Sequence, residues 1–147
     1  MNEDVNEEKE SGFTFRIMDE IDNPDYNVYV AYEDGKSFYR EFEEGLKQKP
    51  DKISLGKILR CMERFSPRIQ LPQKKFRHIE GDGDDRNDVF EFKDERIRVY
   101  VSLLPNNIIV LLGGFKSQQD NDIAKVFRHF NDLVFSEDLI IEENEKN

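Results

Sequence analysis

The order of periodicities along the chain predicts an α+β protein, and three observations carry that prediction. Two stretches near the start alternate apolar and polar residues at period two. The chain then switches to apolar spacings of three and four, the signature of a helical pair. The second half returns to short alternating runs, three or four antiparallel strands, before one last amphipathic helix. At 147 residues, with 37% hydrophobic and 12% aromatic side chains, the chain has the length for one domain and enough large side chains for a modest core.

Taken in order, Phe13, Phe15 and Ile17 fall on one side of an extended segment over 13–21, with Thr14 and Arg16 on the other. Asn23-Pro24-Asp25 is a turn, and Tyr26, Val28, Val30 and Tyr32 share one face of a second strand. From Lys36 the period changes. Phe38, Tyr39, Phe42 and Leu46 fit a helix that Pro50 is expected to stop. Leu55, Ile58, Leu59, Met62 and Phe65 form the apolar stripe of a second helix, whose exit Pro67 and Pro72 bracket. Residues 73–80 are a short basic extended segment, and Gly81-Asp82-Gly83-Asp84-Asp85 is a turn-forming loop. Residues 88–93, 96–104 and 107–113 read as strands, the last two joined at Pro105-Asn106. Ile97, Val99, Val101 and Leu103 point one way; Arg96, Arg98, Tyr100 and Ser102 point the other. Residues 107–112, nearly all apolar, suit a central strand buried on both faces. Ser117-Gln118-Gln119-Asp120 has the form of a helix-start capping box with Asp in the last place. Ile123, Val126, Phe127, Phe130 and Val134 then give the final helix its apolar face.

The net charge of −10 hides an uneven distribution. Residues 1–11 hold five acids and one Lys, and residues 136–147 repeat that count, −4 at each end. Residues 47–77 hold ten Lys or Arg against Asp51 and Glu63, a local +8. This organisation predicts an acidic tail without fixed structure over 1–11, one domain over 12–135 and an acidic tail over 136–147. No apolar run approaches the roughly 20 residues of a membrane helix. Residues 1–10 also lack the basic-then-apolar order of a secretory signal. Cys61 alone leaves no internal disulfide, and two histidines do not make a Cys/His zinc site. A cytoplasmic protein without membrane, metal or small-molecule cofactor is expected.

The cations are the residues with chemical potential. Lys57, Arg60, Arg64 and Arg68 recur at three, four and four residues along one side of the second helix, and Lys74, Lys75, Arg77 and His78 follow in the next strand. Cations gathered on one element suit a polyanion, because each phosphate contact releases counterions; they suit an acidic protein partner equally well. Arg96, Arg98 and Tyr100 on one strand face could hold a phosphate and offset charge developing on it, with Glu91 on the neighbouring strand as a proton acceptor. Lys116 follows Gly113-Gly114, where a missing side chain lets backbone approach a ligand. Cross-strand ion pairs and a glycine bulge explain the same residues structurally. Arg128 and His129 on the last helix are further candidates for phosphate contact. Asp82, Asp84 and Asp88 fail the calcium-loop pattern.

The run from Asp88 to Lys93 (Asp-Val-Phe-Glu-Phe-Lys), then Arg96-Ile-Arg-Val-Tyr100, then Ile108-Ile-Val-Leu-Leu-Gly-Gly-Phe-Lys116 and Gln119-Asp-Asn-Asp-Ile123 resembles the RelE/ParE toxin superfamily. It is most similar to the HigB-like branch of type II toxin–antitoxin systems. The resemblance spans residues 26–133 and is best over 75–123. It implies a RelE-like toxin fold, a helical hairpin packed on an antiparallel sheet of about four strands plus a C-terminal helix. It further implies a cognate antitoxin as partner and, for a cleaving member, metal-independent cutting of messenger RNA on the ribosome. Arg98, Lys116 and Glu91 then match catalytic positions, with Arg60, Arg64, Lys74, Lys75, Arg77, His78, Arg96 and Arg128 as RNA contacts. Asn121 and Asp122 stand where several active members place a Tyr or His. A non-catalytic alternative therefore stays open, either a gyrase inhibitor or a degenerate regulator of the same fold. An interaction domain whose basic face docks its own acidic tails is a third.

Overall fold

The computed structural model describes residues 12–69, 71–80, 87–130 and 141–142. Strands β1 (Phe13–Ile17) and β2 (Asn27–Glu33) pair antiparallel and lead into helices α1 (Phe38–Gly45) and α2 (Lys49–Arg64). Strands β3 (Phe76–His78), β4 (Val89–Asp94), β5 (Ile97–Leu104) and β6 (Asn107–Phe115) follow, the last three each antiparallel to the one before. A 3-10 turn (Lys116–Gln118) runs into helix α3 (Gln119–His129), and a two-residue strand β7 (Ile141–Glu142) closes the described chain. The sheet order is β3-β4-β5-β6-β2-β1-β7. The fold is α+β, as expected, but the sheet is mixed and seven-stranded instead of four-stranded and antiparallel. β2 runs parallel to β6, which the long connection through two helices and three strands permits. β7 runs parallel to β1, so residues 141–142 of the expected acidic tail belong to the sheet. Residues 1–11 lie outside the described residues.

Each sheet face carries its own core. On one face, Val28, Val30, Phe92, Val99, Val101, Ile108 and Val110 pack against Tyr39 and Leu46 from the first helical segment and Leu55, Ile58 and Met62 from α2. On the other, Phe15, Tyr29, Val89, Tyr100, Ile109 and Leu111 meet Val126 and Phe130 at the end of α3. The alternation expected for Tyr26–Tyr32 and for Ile97–Leu103 holds, whereas Ile17 is 46% exposed because it ends β1 and lies outside both cores. Pro50 does not stop α1. That helix ends at Gly45, capped at its start by Ser37, whose Oγ accepts from the Arg40 amide, and Pro50 sits in the first turn of α2, where its missing N–H costs nothing. The capping box at Ser117 does not form. Ser117 lies inside the 3-10 turn, and Gln118, which precedes α3, makes no side-chain cap bond.

One irregularity decides what faces what at the end of β6. Tyr100 pairs with Leu112 but Val101 pairs with Val110, so Leu111 is the extra residue of a β-bulge. Leu111 and Leu112 consequently both join the α3-side core, and the alternation inverts beyond them. Gly113 then lies under Phe42 of α1 and Gly114 under Asp122 of α3, and a Cβ at either position would collide with those side chains. The glycines thus let two helices seat on opposite faces of one strand end.

Candidate functional site

The α3-facing side of β3, β4 and β5 carries a polar cluster at the end of the sheet where the inverted β6 leads into the 3-10 turn. Cross-strand register sets it up: Arg77 lies opposite Glu91, Glu91 opposite Tyr100, Lys93 opposite Arg98, and Arg98 opposite Gly114. Glu91 is fully buried. Its two oxygens accept from Gln119 Nε2 at 2.7 and 3.0 Å and from Arg77 Nη2 at 3.3 Å each, while Arg98 Nε stands 3.8 Å from Oε2. Gln119 opens α3, so the carboxylate ties that helix to the sheet.

Arg98, 7% exposed, donates through Nη1 to the carbonyls of Glu95 and Ile97 at 2.8 and 2.9 Å, and its Nε has no hydrogen-bond partner. The Tyr100 hydroxyl is likewise buried and unpartnered, and burial, reinforced by Glu91, pushes its acidity well away from neutrality. Lys93 is half-buried. Burial lowers its pKa, and the positive charges of Arg77, Arg98 and Lys116 act in the same direction against the pull of Glu91. Lys116 itself is exposed on the 3-10 turn. The result is four cations, Arg77, Lys93, Arg98 and Lys116, about one buried carboxylate. Such a cluster can accept an anion, since Glu91 offsets only part of their charge.

Of the expected catalytic residues, the structure joins Arg98 and Glu91 directly and brings Lys116 within electrostatic reach through Lys93. The part expected of Glu91, a proton acceptor, does not suit its position, because both oxygens are engaged and none of its surface meets solvent. It holds Arg77, Arg98 and Gln119 in place. Lys93 is a member of the cluster that neither charge spacing nor the resemblance singles out. The signal was its period-two relation to Glu91, which puts it on the same face beside Arg98.

The expected RNA contacts divide. Arg77 belongs to the cluster. Arg96 does not follow Arg98, for it precedes β5 and Glu95 turns the backbone at a φ of 50°. Its guanidinium instead pairs with both oxygens of Asp51 in the first turn of α2, at 2.9 Å each, and covers the Phe115 ring. Lys75 reaches Asp94 at 2.6 Å, a carboxylate that also accepts from Ser54 Oγ at 2.6 Å, which locks β4 to α2. His78 Nε2 lies 2.9 Å from the Asn87 carbonyl oxygen. Lys74 is exposed, and Arg60 and Arg64 are exposed on α2, across the sheet from the cluster. Arg128 is exposed nine residues beyond Gln119, about 13 Å along the helix. His129 packs among Phe13, Phe38 and Phe130 with Nε2 at 2.8 Å from Glu33. Asp88 accepts from Ser102 Oγ. Among the described residues, no helix is long and apolar enough to cross a membrane, and no group of three or more His, Cys, Asp or Glu is placed to hold a metal ion.

No protein-family model and no curated protein matches the chain.

Proposed function

We propose that the chain is the toxin component of a type II toxin–antitoxin pair and acts as a metal-independent endoribonuclease on ribosome-bound messenger RNA. The observation that carries this is the convergence of Arg77, Lys93 and Arg98 on one sheet face about a buried carboxylate, with Lys116 on the adjoining 3-10 turn. The RelE-like reading is supported by a helical pair on one sheet face, a run of antiparallel strands from β3 to β6, and the glycine turn into a last helix. In the reaction the scissile nucleotide's 2′-oxygen forms a bond to the adjacent phosphorus and its proton passes to water. The bond from phosphorus to the 5′-oxygen breaks, leaving a cyclic phosphate and a 5′-hydroxyl. Arg98 and Lys116 stabilise the charge that accumulates on the non-bridging oxygens. Lys93, whose proton is loosened by its surroundings, supplies it to the departing 5′-oxygen. A cognate antitoxin with an acidic segment would silence the cluster by covering it.

Inducible expression in a bacterium should arrest growth, and Arg98→Ala should relieve the arrest while circular dichroism shows the variant folded. Full arrest by a folded Arg98→Ala protein would remove Arg98 from its part. The second reading, a toxin-fold module that binds without cutting, is favoured by the inaccessibility of Glu91 and the lack of a Tyr or His at the start of α3. Growth arrest with intact transcripts and accumulating DNA breaks would select the gyrase form of that reading.

A further inference from the structure

Away from the Glu91 cluster, on the helix-hairpin side of the sheet edge, a groove of about 500 Å³ lies between the end of α2 and β3. Its volume falls inside the ~300–1,000 Å³ range of small-ligand sites. Its walls combine two chemistries. Tyr26, Phe65 and Phe76 line it as a row of rings, with centroids 5.3 Å apart from Tyr26 to Phe65 and 4.9 Å from Phe65 to Phe76. Arg68, Arg77 and His78 also line it, and among the described residues no carboxylate does. The row continues outward, since Phe76 stacks on Phe90 at 5.0 Å with the planes 3° apart and the His78 imidazole leans on the same Phe90 ring at 4.9 Å. Phe65, 8% exposed, belongs to the core and forms the floor, whereas Tyr26, Phe76 and His78 are only half-buried, beside an Ile69 that is 52% exposed.

We propose that this groove binds one nucleotide of single-stranded RNA, the base lying against the Tyr26–Phe65–Phe76 row and its phosphate held by Arg68. Rings at a groove floor with cations at its rim are the two requirements of a sequence-tolerant single-strand site, because every base has a flat face and every link a negative charge. Arg68 and His78 favour an anionic occupant over a cationic one, and the ring row distinguishes a base from a merely acidic peptide. Arg77 connects the groove to the cluster on the other face. It lies at the groove's edge on β3, while its Nη2 reaches both Glu91 oxygens on the α3 side of the sheet. A strand seated in the groove therefore continues over β3 toward Arg98. Resting on the RNA-directed reading above, the groove deepens it by giving the substrate a second anchor outside the reacting centre.

The test uses the full chain and a short 4-thiouridine-containing oligouridine carrying fluorescein. Fluorescence anisotropy should show Tyr26→Leu combined with Arg68→Glu binding about tenfold more weakly than the unaltered chain, the loss expected for one stacked base. Photo-crosslinks should map to the peptide holding Phe76 and His78, and should persist in Arg98→Ala. Unchanged affinity in the double variant, or crosslinks confined to the peptides of Arg98 and Lys116, would overturn the groove. So would polyglutamate displacing the RNA as effectively as unlabelled oligouridine, since that would reduce the groove to a charged patch. A chain that binds in the groove but cuts no RNA keeps the groove and loses the nuclease reading.

Discussion

At the scale of single residues, two carboxyl groups on the α3 side behave in opposite ways. Glu91 is surrounded by donors, and its removal would leave Arg98, almost wholly enclosed, without a counter-charge. Breaking one side of a buried charged network of this kind costs about 3 kcal/mol. Glu91→Ala should therefore lower the unfolding free energy by roughly that amount in urea titrations, and loss under about 0.5 kcal/mol would show that Arg98 finds another partner. Asp122 is the reverse. Its Oδ2 is buried over Gly114 without a hydrogen bond, and burial holds its carboxyl above the usual range, opposed only by Lys125. A raised folded pKa means that its contribution to stability is complete below the unfolded value of about 4 and is lost as pH rises through the folded value. Asp122→Asn, which stays neutral, should melt at higher temperature than the parent at pH 7, with the gain shrinking toward pH 4. A gain that grows on acidification would contradict this account of Asp122.

At the scale of elements, the end of β6 is the joint on which the site depends. The bulge at Leu111 turns Gly113 toward α1 and Gly114 toward α3, and a Cβ on Gly113 would lie 2.5 Å from the Phe42 ring. Gly113→Ala should therefore push α1 from the sheet and cost about 1–3 kcal/mol, the usual penalty of overpacking. Thermal melting checks it, and an unchanged midpoint would show that Phe42 moves aside freely. The same joint marks the limit of what the sequence reveals. The strand face Ile97–Leu103 and the fully apolar 107–112 segment are legible because alternation and buried runs are local signals. The bulge is not, since it depends on which β5 residue each β6 residue meets. Pro50 was legible as a boundary but not as to side: proline both ends a preceding helix and begins a following one. Arg96 was misassigned to the Arg98 face because strict alternation was carried through a turn in which Glu95 takes a left-handed conformation.

At the scale of the whole molecule, the cations counted along the sequence divide between two sheet faces. Arg60, Arg64 and Arg68 stay on the helical side, while Arg77, Lys93, Arg98 and Lys116 gather on the side of α3. Linear spacing showed the density of charge but not this division, which follows from the cross-strand register of β3, β4 and β5. The pairing of Ile141–Glu142 with β1 is likewise non-local, and the acidic composition around it gives no local sign of a strand. Two faces with two kinds of basic surface suit a protein that holds an RNA chain at more than one point.

The central claim is that the Arg77–Lys93–Arg98–Lys116 cluster cuts RNA by internal attack of a 2′-hydroxyl. The most direct measurement is to induce the full chain in a bacterium and map the new messenger RNA ends by a method that reads 5′-hydroxyl termini, beside Lys93→Met and Arg98→Ala. The account predicts new 5′-hydroxyl ends within translated regions for the unaltered chain and their absence in both folded variants. Transcripts that remain intact in the presence of abundant folded protein, or ends bearing a 5′-phosphate, would contradict it.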